Sequence, residues 1–300
     1  MTEGALPDNV KEWLLAEGYP LEFKCAAEFR KQGFDVSQGY YIKDPRQGVM
    51  REVDVLASAT MGEMRPLLRV HYVIECKWSG DKPWIIFRGG RRLSSAACIT
   101  QTISSDVARA MLWALAGDKS LHDLDTFSTP DDPAFGGRQA FAKKNDVFFE
   151  AVQGVISKAV AIATAYDKQT MERSKPLGVA FIAFPLIVVD GALFEAGLDE
   201  QAQDISVREI EFARLHWRGA EYGPPHTTVD IVSAKALPHY AEKRGQEIDR
   251  MIGPFRKTLQ QITECWSQGT LAPLEITKGS RGVLGLPPLL SLITDRPVDH

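Results

Sequence analysis

Closely spaced cysteines are missing from this chain. Its four, Cys25, Cys76, Cys98 and Cys265, are scattered over 300 residues. They have neither the CxxC or Cys/His spacing of a zinc site nor the density of a disulfide scaffold. Reduced thiols in a cytoplasmic protein are the expectation. Excess basic charge is missing too: 35 Lys and Arg stand against 39 Asp and Glu, a net charge of -4. No global field draws nucleic acid or an acidic membrane, so a polyanion has to meet a local basic patch. The longest apolar run, Val179 to Val189, is interrupted by Pro185 and is too short to cross a bilayer. Met1-Thr2-Glu3-Gly4 lacks the basic start and apolar core of a secretory signal. No membrane partner is expected, and no repeat or low-complexity tract is visible.

What is present is an apolar strand broken by charge, Val73-Ile74-Glu75-Cys76-Lys77-Trp78. Side chains two apart in a strand share a face, so Glu75 and Lys77 point the same way and Cys76 the other, into core packing. Burying charge costs several kcal/mol unless it is paired or bound to a metal. The preceding strand holds Arg51-Glu52-Val53-Asp54-Val55-Leu56-Ala57, with Asp54 on the face of Glu52 and Leu56. If these strands are neighbours, Asp54 approaches Glu75 and Lys77. Two converging carboxylates suit a hard divalent cation, Mg2+ or Mn2+, with substrate phosphate oxygens in its remaining positions. Such an ion polarises a phosphoryl oxygen, and Lys77 would orient a water or offset developing charge. That is chemistry for phosphodiester hydrolysis.

The rest of the pattern is α/β. The apolar spacing of Leu21 to Gln32, closed by Gly33, predicts a helix. Phe34 to Ile42, Val49 to Ala57 and Leu68 to Trp78 predict three strands, the first two joined as a hairpin at Asp44-Pro45-Arg46-Gln47-Gly48, with a polar break at Met61-Gly62-Glu63. A helix capped at Ser104 or Ser105 runs to Leu115, residues 118–137 read as a loop, and Asp146 to Tyr166 form a long helix with Phe149, Val152, Ile156, Ala159 and Ala163 on one side. Strands are expected at Gly178 to Val189, Val207 to Trp217 and Thr228 to Ala234. A helix from Tyr240 to Cys265 should bend or restart at Gly253-Pro254, before a tail containing Pro287-Pro288.

A Glu-bearing helix, a strand with Asp and then Glu-x-Lys on the next strand resembles the PD-(D/E)XK, or restriction-endonuclease-like, nuclease superfamily. The resemblance covers about residues 21–78 and extends loosely to the strand near Val189. It implies a mixed sheet flanked by helices, magnesium dependence and cleavage of DNA or, less often, RNA, in restriction, repair or phage defence. It makes Asp54 and Glu75 metal ligands, Lys77 the catalytic lysine, and Glu28 the acidic residue of the first helix, on the metal directly or through water. Val53 stands where the family name has Pro, which touches the backbone more than the chemistry. The expected layout is a nuclease core at residues 1–190, with an insertion at about 118–145, and a C-terminal α+β extension at 191–300, either separate from the core or continuous with it.

Lys82, Arg88, Arg91 and Arg92 follow the Glu-x-Lys strand with no acidic residue among them, and are candidates to grip phosphates, while Trp78 or Trp84 could stack on a base. Gln153 and Lys158 read as polar helix surface, and the family's Gln-x-x-x-Tyr pattern is absent because position 157 is Ser157. His71 reads as structural. The expected partner is nucleic acid, with a homodimer or partner protein for two-strand cleavage. The competing readings are a nucleic-acid-binding or protein-interaction module on the same fold, and a metal-independent scaffold in a larger assembly.

Overall fold

A computed structural model describes residues 5–44, 48–61, 67–142, 147–172, 177, 179–199, 203–219, 224 and 226–278. Two helices, α1 (Ala5–Ala16) and α2 (Tyr19–Lys31), precede β1 (Asp35–Lys43), β2 (Met50–Met61), β3 (Leu67–Trp78) and β4 (Trp84–Arg88). Then come α3 (Ser95–Thr100), β5 (Ile103–Ser104), α4 (Asp106–Ala114), α5 (Lys119–His122), a 3-10 turn (Asp125–Phe127), β6 (Ala134–Gln139) and α6 (Val147–Glu172). The chain continues through β7 (Val179–Asp190), β8 (Leu193–Leu198), β9 (Ile205–Glu209), β10 (Phe212–Arg218), β11 (His226–Ser233) and α7 (Leu237–Gln268). The fold is mixed α/β: one large sheet, ordered β1-β2-β3-β7-β11-β10-β6-β4-β8-β9 with β5 beside β7, flanked by helices.

β7 organises the sheet. Its sequence, VAFIAFPLIVVD, is apolar almost throughout and buried nearly end to end, as a strand covered on both faces must be. It pairs in parallel with β3 on one side and β11 on the other. Pro185 has no N–H to donate, which ordinarily excludes proline from a central strand. It lies between the stretch of β7 that meets β5, ending at Ala183, and the stretch that meets β11, beginning at Leu186.

Alternation divides the core in two. Val55, Ile74, Leu186 and Val188 pack under α2, α4 and α7 with Leu21, Phe29, Met111 and Phe255. Leu56, Val73, Ile187 and Val189 face α6, whose Val152, Ile156, Ala159 and Ala163 form its inner side. The side chains of Glu75 and Lys77, in phase with Val73, are thereby aimed at α6.

The structure differs from the sequence reading at several points. Residues 118–137 are no loop: they hold α5, the 3-10 turn and the start of β6, which pairs with β4 and β10. The stretch Val207 to Trp217 is split into β9 and β10. The helix at 240–265 does not restart, since α7 runs through Pro254. One sheet joins residues on both sides of position 190, through the pairing of β11 with β7, which is the continuous alternative that the sequence left open. Met61 ends β2, while the Gly62-Glu63 break, the centre of the 44–48 turn and the Pro287-Pro288 tail lie outside the described residues.

The far half of the sheet is fastened by a buried ion pair. Arg214 on β10 faces Asp230 on β11, with Nε to Oδ1 at 2.6 Å and Nη2 to Oδ2 at 2.8 Å. Its Nη1 donates to the carbonyls of Asp125 and Ser128, tying the 3-10 turn to the sheet, and the Tyr240 hydroxyl donates to Asp230 Oδ2 at 2.8 Å. Removing one partner leaves a buried charge uncompensated. Arg214→Ala is expected to lower unfolding free energy by about 3–5 kcal/mol, read as a fall in the urea midpoint; a loss below about 1 kcal/mol, the level of an exposed pair, would show that water reaches the pair.

Candidate active site

β2 and β3 run antiparallel with Val55 opposite Ile74. The ladder ends at that pair, and Asp54, Glu75 and Lys77 follow just beyond it. The backbone N–H of Cys76 donates to Asp54 Oδ2 at 2.8 Å, which fixes the Asp54 carboxylate against β3.

Glu75 is buried, at 7% exposure, and both of its oxygens are engaged. Lys77 Nζ lies 2.5 Å from Oε1, and Lys158 Nζ of α6 donates to Oε2. Lys158 also stands 3.8 Å from Asp54 Oδ1. Burial alone would raise the Glu75 pKa, but the charges of Lys158 and Lys77 outweigh it and hold the carboxyl below its ordinary value. Asp54 goes the other way: burial first, then the charge of Glu75, push it up despite Lys158. Burial works against the Lys77 ammonium, and Glu75 overcomes it, so its pKa is raised. The patch therefore carries one fully compensated carboxylate and one that is short of positive charge.

A third carboxylate is Glu22, on α2. Its pKa is raised to about 6, by burial first and then by Asp54, Glu52 and Glu75, with Lys77 opposing. Glu28, expected in this role, is paired with Lys31 at 2.6 Å; among the described residues it makes no bond to Asp54, Glu75 or Lys77. The two glutamates are six residues apart, about 120° around the helix and ~9 Å along it, so one location cannot take both. The turn of α2 nearest β3 is marked by Cys25, whose Sγ is 3.5 Å from Cys76 Sγ. Cys76 packs with the core, and the bond to Cys25, then burial, keep its thiol pKa well above the usual range, so it is a poor nucleophile.

Other candidates are elsewhere. β4 does not pair with β3; of the basic cluster, Lys82 stays in the turn directly after β3, while Arg88 ends β4 and Arg91 and Arg92 follow it. Arg88 is paired with Asp132 at 3.6 Å and Glu195 at 3.4 Å, and Arg92 with Asp131. Arg91 is exposed, with its carbonyl on His216, and Lys82 is exposed in the turn after β3. Trp84 is fully buried and cannot meet a ligand, whereas Trp78 is exposed. His71 bonds to Ser58 at 3.2 Å and packs on Phe181.

The sequence reading passed over Glu22, and it took Lys158 for polar helix surface, whereas Lys158 is buried against Glu75. Lys158 had a signal: between Ala151 and Tyr166 it is the one charged residue of α6, and the argument that made Glu75 conspicuous applies equally to it. Among the described residues no three Asp, Glu, His or Cys side chains form a ready cage for an ion; the oxygen donors available are Asp54 and Glu75, with Glu22 at the margin. Comparison with family models, curated proteins and solved structures finds no match to this chain.

The raised Glu22 pKa makes a signed prediction. An unfolded chain ionises this group near 4.5 and the fold only near 6, so the fold is penalised as pH rises through that window, and the penalty persists above it. In EDTA, Glu22→Gln should melt higher than the native chain at pH 8, with the difference closing below about pH 4.5. Equal melting temperatures at pH 8 would show that Glu22 is not under this electrostatic pressure.

Proposed function

We propose that the chain is a metal-dependent phosphodiesterase. More narrowly, we read it as a nuclease with the restriction-endonuclease-like PD-(D/E)XK arrangement, acting on DNA in preference to RNA. The observation that carries this reading is the meeting of Asp54, Glu75 and Lys77 on one face of neighbouring strands, with Lys158 beneath them.

The donor set suits magnesium or manganese. Mg2+ takes one or two protein carboxylates and leaves its other positions to water and phosphate oxygens, and Asp54 with Glu75 supplies that number. The shortage of positive charge at Asp54 and Glu22 is what a hard cation would relieve. Such an ion, when bound, would polarise a phosphoryl oxygen and make a water more acidic.

The chain's own residues do the rest. Lys158 keeps Glu75 ionised and fixed. The Cys76 N–H holds Asp54 in one orientation. Lys77, at the more open side, can leave Glu75 for a water or for a phosphoryl oxygen on which charge develops, the preorganised electrostatic help that a fixed ammonium gives. A second reading, a module that binds nucleic acid or protein without cutting, draws on the engagement of both Glu75 oxygens by ammonium groups.

Incubating the purified chain with linear, circular and single-stranded DNA and with RNA, in Mg2+ or in EDTA, separates the two. Magnesium-dependent scission is expected, lost in Asp54→Ala and reduced roughly 10²- to 10³-fold in Lys77→Ala. No scission of any substrate in Mg2+ or Mn2+, or scission unchanged in both variants, would overturn the assignment.

A further inference from the structure

The proposed site has carboxylates and lysines, and its lysines Lys77 and Lys158 are paired with Glu75. Arg88 and Arg92, which a sequence reading would offer to the backbone, are paired with Glu195, Asp132 and Asp131 on the other half of the sheet. Glu22, Glu52, Asp54 and Glu75 make the neighbourhood acidic, which disfavours the dense charge of double-stranded DNA. What lies beside the site, on the α2 side of β3, is aromatic.

Trp78, the residue after Lys77, is 57% exposed, Tyr41 56%, Trp13 54% and Tyr19 40%. Their placement is specific. Tyr41 on β1 stands opposite Glu52 on β2, two residues from Asp54 in sequence, and its hydroxyl bonds to the Glu52 carboxylate. Tyr19 opens α2 one turn before Glu22, lies within electrostatic reach of Tyr41, and has its ring 5.7 Å from that of Trp13. Trp78 is held from below by glycine. Gly18, at φ 82°, has no room for a side chain, since a Cβ there would be 3.0 Å from the Trp78 Cβ, and a Cβ at Gly80 would come within 3.3 Å of the indole. The Trp78 side chain thus lies close against both glycines with more than half of the residue open to solvent.

We propose that Trp78, Tyr41, Tyr19 and Trp13 form a stacking platform for unpaired bases, so that the substrate reaches this site as single-stranded nucleic acid. The inference rests on the phosphodiesterase reading and deepens it by naming the substrate class. Rigid rings lose little entropy on binding, and every base offers a π-face to them regardless of sequence. A duplex keeps its bases stacked on one another and cannot use the rings.

The test is fluorescence anisotropy of labelled oligodeoxythymidylate and of a duplex of equal length, in buffer with Ca2+ and without Mg2+, alongside cleavage of both in Mg2+. The single strand should bind about 10-fold or more tighter and quench tryptophan emission. Trp78→Ala and Tyr41→Ala should each weaken single-strand binding by roughly 5- to 150-fold, the range of one lost base–aromatic stack. Trp78→Phe and Tyr41→Phe retain a ring and should restore binding, which separates stacking from misfolding. Equal affinity for the duplex, alanine variants that bind as the native chain does, or no binding of either oligonucleotide would overturn the platform. Magnesium-dependent duplex cleavage alongside such results would leave the phosphodiesterase reading standing. Ring-dependent single-strand binding without any cleavage would support the platform and remove that reading.

Discussion

A buried carboxylate between two ammonium groups governs this half of the molecule. Glu75, in the apolar strand β3, touches Lys77 from its own strand and Lys158 from α6. An isolated charge at that depth would neutralise itself by shifting its pKa, because transfer from water costs far more than an ordinary contact returns. Two partners reverse the outcome and keep Glu75 ionised. Lys158 depends on the same contact: it is 7% exposed on an apolar helix face, and without Glu75 and Asp54 its ammonium would itself be uncompensated. Strand, helix and site are therefore mutually dependent, and packing α6 on the sheet is inseparable from the electrostatics of the carboxylates.

The sheet order explains why this can happen at only one edge of the core. β3 lies between β2, which supplies Asp54, and β7, which supplies a wall of apolar side chains with no charge until Asp190. The hydrophobic side of α6 covers β7 and the adjoining strands, and the lysine on that side, Lys158, is compensated by the β2–β3 carboxylates. The opposite half of the sheet has its own buried pair, Arg214 with Asp230, whose remaining donors are consumed by backbone carbonyls and whose acceptor is shared with Tyr240. That network is closed on itself. At the β2–β3 edge it is not closed, because Asp54 and Glu22 retain surplus negative charge.

Much of the central fold was legible because its elements follow simple periods. β1, β2 and β3 are β-branched or aromatic runs with turn chemistry between the first two, β7 is a continuous apolar run, and α4 and α6 repeat apolar side chains at helical spacing. The strands that were missed have weaker patterns. β6 is AFGGRQ, a Gly-rich stretch after an Asp/Pro/Ser segment, which sits in the sheet through backbone pairing rather than side-chain alternation. β4 is five residues long. At the site, Asp54, Glu75 and Lys77 could be read because period two fixes which strand residues share a face. The choice between Glu22 and Glu28 could not, because the rotation of α2 about its axis is set by how Leu21, Cys25 and Phe29 pack. The acidic partners of Arg88 and Arg92 could not be read either, because adjacency in sequence to β3 does not say which strands and loops a segment will meet.

The two lysines at the site are not equivalent, and burial is what separates them. The side chain of Lys158 is 9% exposed and that of Lys77 29%. Moving Lys158 away from Glu75 would strand an ammonium in apolar surroundings, so its geometry is fixed and its contribution is to hold Glu75. Lys77 can exchange its contact with Glu75 for water or an arriving anion at much lower cost, because solvent already reaches it. A group that must respond to charge appearing on a substrate has to be mobile in this limited sense, while the group that keeps the anchoring carboxylate ionised must not be. A strand position near the sheet end supplies the first condition and the inner face of a core helix the second, which is why one lysine comes from β3 and the other from α6.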